Sequence, residues 1–265
     1  MLSVVMIGYG AIAQYVAQAL EEADGVKLRY VLCRSGREEV ATAALAGHPK
    51  AVTDFADIAS DISLAIECGG HPALIQHGPD ILESGIDIIS VSAGALADDD
   101  VAKILSESAR EGSSQLRLVA GAVGGMDALN AARQGGLAKV TYVGRKKPLG
   151  WKGSLAEEVI DLETVTKPVC HFKGTARDAA LKYPKNANVA ATIALSGIGF
   201  DETDVELYAD PTVSANMHEV VATGAFGELR FEVGGLTLPD NPKSSALTAM
   251  SVVHAVTQRI VPVSV

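Results

Sequence analysis

The first half of the chain alternates short apolar runs with amphipathic stretches. Residues 2–7 are almost wholly apolar and read as a buried strand. Behind them Ile12, Val16, Ala19 and Leu20 recur at helical spacing. Strand-like runs follow at 26–33, 64–68, 87–91 and 116–120. Helical stretches lie between them at 37–46, 72–84 and 97–111, the second with Pro72 near its start. Apolar strands separated by helices predict a parallel sheet covered on both faces. Beyond residue 122 the pattern changes. Residues 140–143 read as a strand, and 206–208 and 228–233 alternate with period two. In the last of these Leu229, Phe231 and Val233 share one face, and Glu228, Arg230 and Glu232 the other. Helical segments at 155–162 and 188–196 interrupt these strands, and a final helix at 244–259 follows Asn241-Pro242.

The expected architecture is α/β: an N-terminal Rossmann-type doubly wound parallel sheet plus a second α+β domain with a mostly antiparallel sheet. Residues 1–121 and 240–265 form the first domain, to which the last helix returns. Residues 122–239 form the second, carrying the substrate site and the dimer contact. Ligands on open parallel sheets bind beyond the carboxyl ends of the strands. Those ends fall at 8–10, 68–71, 92–94 and 121–125, all rich in Gly, Ala and Ser. The first end reads Gly8-Tyr9-Gly10-Ala11-Ile12-Ala13, a G-x-G-x-x-A pattern between strand and helix. Gly8 permits the tight turn, Gly10 lets a pyrophosphate approach, and Ala13 lets the helix sit close to its strand. The helix start at Ala11 and Ile12 offers free N–H groups to phosphate. Cys68, Gly69, Ser92 and Ala93 extend this dinucleotide edge.

A strict NAD site has an acid at the end of the second strand. Here that position reads Leu32-Cys33-Arg34-Ser35. With no carboxylate to repel a 2′-phosphate, NADP is accepted and NAD is not blocked. Arg34 is placed to pair with the phosphate, to stack on adenine, or to lie in solvent.

The 265 residues are 48% apolar and 20% charged, with a formal charge of −10, enough for a sizeable core and without a basic stripe. That argues against nucleic acid or an anionic membrane as partner. No run is long and apolar enough for a bilayer span, and no signal peptide is visible. Cys33, Cys68 and Cys170 are widely spaced, which fits reduced thiols in the cytoplasm. With neither C-x-x-C nor H-E-x-x-H, no metal is expected.

Three segments of the second half carry candidate chemistry. Arg145-Lys146-Lys147 follows a strand, and Lys146 and Lys147 are candidates for a substrate carboxylate, against a solvated loop. Asn186, Asn188 and Thr192 surround a helix start at which either asparagine serves as cap or contacts cofactor or substrate; spacing alone favours the cap. In Asn216-Met217-His218-Glu219, between two strand-like segments, His218 is a candidate acid/base near its ordinary pKa of about 6.5. Among the other histidines, only His71, beside Gly69-Gly70, is a serious rival.

Taken together, these segments resemble the L-aspartate dehydrogenase family. The resemblance rests on Gly8–Ala13 and on Ser92-Ala93-Gly94-Ala95-Leu96-Ala97-Asp98. It continues through Gly121-Ala122-Val123-Gly124-Gly125-Met126-Asp127, Arg145-Lys146-Lys147-Pro148 and residues 184–192. It closes with Asn216–Val220 and Asn241-Pro242-Lys243-Ser244-Ser245-Ala246. It spans essentially the whole chain in order. Dihydrodipicolinate reductase and homoserine dehydrogenase share the general architecture, but their motifs are not found. The resemblance implies NAD- or NADP-dependent oxidation of L-aspartate to iminosuccinate, then hydrolysis to oxaloacetate and ammonia. It implies that His218 is the active-site residue, and that the backbone at Ala122 and the side chain of Asn188 contact cofactor. It also implies a supply of the imine for NAD biosynthesis, although no residue fixes the physiological direction. Family members often carry an acid where Arg34 stands, so the departure leaves NAD versus NADP open. A homodimer through the second-domain sheet is expected. The alternatives are a related NAD(P)-dependent reductase of another small dicarboxylate or imine, and a non-catalytic NAD(P)-binding sensor.

Overall fold

The computed structural model describes residues 1–58, 60–183, 187–239 and 241–264. Two compact units emerge. The first comprises Met1–Val119, Leu238–Ser244 and Thr248–Val265; the second comprises Ala120–Thr237 and Ser245–Leu247.

In the first unit the elements are β1 (Leu2–Ile7), α1 (Ala11–Glu21), β2 (Val26–Leu32), α2 (Glu38–Ala44) and β3 (Lys50–Val52). They continue with β4 (Leu64–Glu67), α3 (His71–Glu83), β5 (Asp87–Ser90), α4 (Asp99–Glu111) and β6 (Leu116–Leu118). Six strands form a parallel sheet in the order β3-β2-β1-β4-β5-β6. The strand order reverses between β1 and β4, which is where such sheets open a ligand crevice. Why β1 is apolar throughout is visible in its packing. Val4 and Met6 join one core cluster with Ala13, Val16 and Leu20 of α1. Val5 and Ile7 join another with Leu74 and Ile81 of α3 and Leu105 of α4. Both faces of the strand are covered, so neither set is polar.

The second unit contains α5 (Met126–Gln134), β7 (Leu137–Lys146), α6 (Ala156–Val159), β8 (Val169–Thr175), α7 (Ala176–Lys182) and α8 (Ala187–Ser196). β9 (Asp204–Ala209), β10 (Asn216–Gly224) and β11 (Gly227–Gly235) follow. β12 (Thr237–Leu238) and β13 (Asn241–Ser245) then lead to α9 (Ala246–Thr257), whose Val252, Ala255 and Val256 lie in the first unit's core. The five-stranded sheet has the order β11-β10-β7-β9-β8. Three of its pairings are antiparallel and β7–β9 is parallel, so the sheet is mixed. Among the described residues no helix is long and apolar enough to cross a membrane.

Several sequence expectations need correction. Strand β7 runs ten residues, so Arg145 and Lys146 lie within it rather than in a loop beyond it. His218 lies inside β10, not between strands. The helix expected at 155–162 shrinks to the four residues of α6. The final helix begins at Ala246, because Ser244 and Ser245 belong to β13. The pattern reading missed α5 and α7 altogether.

Candidate active site

At the first unit's strand ends, Gly8 and Gly10 do different work. Gly8 has φ +91, and a Cβ there would lie 2.6 Å from the Cα of Gly69. The turn after β1 and the turn after β4 therefore touch backbone to backbone. Gly10 has φ −71, which any residue adopts, and among the described residues a Cβ there would meet nothing within 4 Å. None of those residues requires a glycine at that position. The open space lies at the start of α1, where no side chain caps the helix and the first turn carries no acid. By contrast, Asp98 caps α4 by accepting from the N–H groups of Asp100 and Val101. An uncapped helix start beside a reserved gap fits a pyrophosphate, and Ala11 and Ile12 are half-buried there.

The neighbouring turns are held by an acid that the sequence reading passed over. Glu67 ends β4 fully buried. One of its carboxylate oxygens accepts from the Gly70 N–H at 2.7 Å, the other from the Ser90 hydroxyl at 2.5 Å. The Ser90 oxygen in turn accepts from the Ser92 N–H at 3.0 Å. Burial raises the Glu67 pKa, against these hydrogen bonds. The chain thus ties together the turns carrying Cys68, Gly69, Ser92 and Ala93. Burial, with Glu67 alongside, holds the Cys68 thiol well above its usual range, so it stays protonated. Beyond β2, Arg34 is exposed. Arg37, three residues on, donates from Nε to the Tyr9 hydroxyl at 3.0 Å, anchoring a second cation to the glycine turn. His71 opens α3, half-buried.

In the second unit, β10 and β7 bring three groups together. His218 is 5% exposed. Its Nδ1 shares a 2.8 Å hydrogen bond with the Tyr142 hydroxyl. Burial first, then the positive charge of Lys146, pushes the imidazole pKa down to about 4. The expectation of an ordinary histidine titrating near 6.5 therefore fails, and the ring is neutral at pH 7. Burial likewise lowers Lys146 to about 8, and its Nζ sits 4.9 Å from the Trp151 ring centroid. Burial raises the pKa of Tyr142, which stays a neutral phenol.

The rest of the basic run separates by environment. Arg145 lies over the Tyr208 ring at 4.1 Å and pairs with buried Asp210 at 3.5 Å, so it is a structural cation. Lys147 is exposed. Helix α8 packs against β7 and carries half-buried Asn188 and, one turn on, buried Thr192. Asn186 lies outside the described residues. Ala122 is buried in the turn before α5. Glu67, Tyr142 and Arg37 are the residues that sequence reasoning missed. An acid ending an otherwise apolar strand was the available signal for Glu67.

Two family models cover most of the chain. One, described as the NAD binding domain of homoserine dehydrogenase, matches residues 8–118. The other, described as the C-terminal domain of aspartate dehydrogenase, matches residues 127–259. The L-aspartate dehydrogenase of Ruegeria pomeroyi is 49% identical over 256 residues, covering 97% of this chain and 92% of that one. The chain belongs to the L-aspartate dehydrogenase family. The Polaromonas member is 46% identical over 263 residues, 98% of each chain. The crystal structure of aspartate dehydrogenase from Thermotoga maritima shares the fold, with a TM-score of 0.80 at 23% identity over 100% of this chain and 99% of that one. An archaeal homoserine dehydrogenase crystallised with NADPH is a more distant match, at a TM-score of 0.56 and 13% identity over 97% of each chain. The doubly wound sheet of the first unit and the mixed sheet of the second are the architecture of the aspartate dehydrogenase family.

Proposed function

We propose that the chain oxidises L-aspartate to iminosuccinate with NAD or NADP and promotes hydrolysis of the imine to oxaloacetate and ammonia. The observation that carries this reading is a buried, neutral imidazole on β10 beside a lysine on β7. Relatives named for this activity support the choice of substrate.

A nicotinamide bound at these turns would supply the hydride acceptor for the substrate Cα. Everything else falls to the chain. The ammonium must lose a proton so that its lone pair can drive hydride out. Neutral His218 offers a ring nitrogen to receive that proton and later to orient the water that attacks the imine. Lys146 supplies positive charge for a substrate carboxylate, and exposed Lys147 is its second candidate. Lys146 depresses the basicity of His218 in the free protein. A carboxylate bound to Lys146 offsets that repulsion, so substrate binding raises the proton affinity of the ring. Asn188 is assigned to cofactor and Thr192 to substrate. The backbone at Ala122 joins the cofactor contacts, with Gly8, Gly10, Ala11, Ile12, Arg34, Cys68, Gly69, Ser92 and Ala93.

Lys146→Met separates the two effects of the lysine. Losing a charged hydrogen bond costs about 1.5–3 kcal/mol, so KM for L-aspartate should rise roughly 10- to 100-fold. The His218 pKa, followed by NMR titration, should move upward because its cationic neighbour is gone. An unchanged KM would remove Lys146 from substrate binding.

The reading itself is tested by initial rates with L-aspartate and NAD or NADP, and with oxaloacetate, ammonia and reduced cofactor in reverse. Turnover confined to another dicarboxylate would shift the substrate assignment. Tight cofactor binding without turnover of any amino or keto acid would favour a sensor. We place the protein in the cytoplasm, consistent with three free cysteines, and as a homodimer. Strand β11, nine residues long, is an edge of its sheet and offers an unpaired backbone rim to a second copy. Sedimentation velocity decides the oligomeric state.

A further inference from the structure

We propose that Tyr142 is the positioning residue for His218, and that Gly144 is a glycine so that the tyrosine can reach it. The inference rests on the aspartate-oxidising reading and specifies which imidazole nitrogen exchanges the proton.

The strand register carries the argument. Between antiparallel β10 and β7, His218 stands opposite Gly144 and Val220 stands opposite Tyr142. Tyr142 and Gly144 are two residues apart on one strand, so they share a sheet face. Tyr142 is therefore the diagonal neighbour of His218, not its direct partner. Diagonal side chains in a sheet begin about 7–8 Å apart, and only a long side chain spans that gap. Tyr142 spans it by leaning across Gly144. The two rings lie 6.0 Å apart with their planes 19° from parallel, and the hydroxyl meets Nδ1 at 2.8 Å.

Any Cβ on Gly144 would occupy that path. It would lie 2.7 Å from the Tyr142 hydroxyl oxygen and 3.1 Å from the Leu207 Cδ2 atom. The glycine serves no unusual backbone conformation, since it is absent from the positive-φ residues of the chain. Its missing side chain is the space the tyrosine fills.

The chemical consequence follows from what a hydroxyl is. It both donates and accepts, so it can donate to bare Nδ1 or accept from protonated Nδ1. In either state Nδ1 is engaged, the ring plane is fixed, and Nε2 is the nitrogen that meets substrate or water. A carboxylate in that place would also orient the ring, but its charge would raise the ring's basicity. The neutral phenol orients without adding charge.

Tyr142→Phe keeps the ring packing and removes only the hydroxyl. We expect kcat to fall about 10- to 100-fold, the scale on which misplacing a reacting group slows catalysis, with KM for L-aspartate and cofactor affinity unchanged. The readout specific to positioning is the imidazole 15N spectrum of His218. Its Nδ1 resonance should shift in Tyr142→Phe and the tautomer ratio should change. Gly144→Ala should reproduce the kcat loss with the phenol still present. The double variant should be no slower than the slower single one, because both act through one contact. An unchanged Nδ1 resonance, a kcat within twofold of wild type, or fully additive losses would each overturn the proposal. If wild type itself does not oxidise L-aspartate, the functional reading fails, and the 15N spectra still decide the role of Tyr142.

Discussion

His218→Ala is expected to lower kcat for L-aspartate oxidation by roughly 10²- to 10⁴-fold, the range that a positioned acid/base contributes. Fluorescence titration should find NADH and NADPH affinity unchanged, because His218 is not among the residues assigned to the cofactor. The truncation also strands the buried Tyr142 hydroxyl, at a cost of about 1–3 kcal/mol in stability. His218→Asn controls for this, since its amide can still bond a hydroxyl but takes no proton. It should lose a comparable part of kcat while melting closer to wild type. The pH profile adds a separate check. In the free protein the ring is held at about 4 by burial and by Lys146. Above that value it is neutral and competent to receive a proton; below it the ring is charged. The acid limb of kcat/KM assigned to His218 should therefore fall near pH 4, well under the ordinary histidine range. Near-normal turnover in both variants would end the role given to this residue.

The two units differ in how much of them was legible from residue pattern. In the first, each strand feeds two covered faces, so the requirement for apolar residues is continuous and the strands stand out. In β10 the buried face carries His218, Val220 and Ala222, while the other carries Glu219, Val221 and Thr223. One polar residue inside and one valine outside remove the contrast on which a period-two reading depends. The C-terminal end of β7 is hard to read because Arg145 and Lys146 look like a solvated run. Pairing with Asp210 and packing on Tyr208 and Trp151 explain how a strand holds them. Helix α5 buries only Met126, Leu129 and Ala132, too thin an apolar stripe to mark a helix. His218 stands out as a candidate from its motif. Tyr142 does not, since its partner is 76 residues away in sequence. A diagonal contact through a missing side chain leaves no local trace.

Gly8→Ala and Gly10→Ala should fail in opposite ways, as the different roles of the two motif glycines require. At position 8 the backbone is left-handed, and the added methyl would press on the Cα and N of Gly69 at 2.6 and 2.9 Å. These are backbone atoms of a turn whose next amide, Gly70 N–H, is bonded to buried Glu67. Gly69 has little room of its own, since a Cβ on it would come within 2.7 Å of Ala73 Cβ. Backbone strain alone costs about 1–3 kcal/mol, so thermal melting of Gly8→Ala should fall by several degrees. Loss of cofactor binding then follows from a displaced turn. At position 10 the backbone suits alanine, and none of the described residues lies within 4 Å of the new methyl. Gly10→Ala should melt with wild type, or slightly above it. Its NADH and NADPH affinity should nonetheless drop by at least about tenfold, or 1.4 kcal/mol, because the methyl stands where a pyrophosphate must approach the start of α1. A Gly10→Ala protein that binds both nucleotides as tightly as wild type would show that this gap is not the phosphate cradle. The first unit would then have to hold its cofactor in a different place.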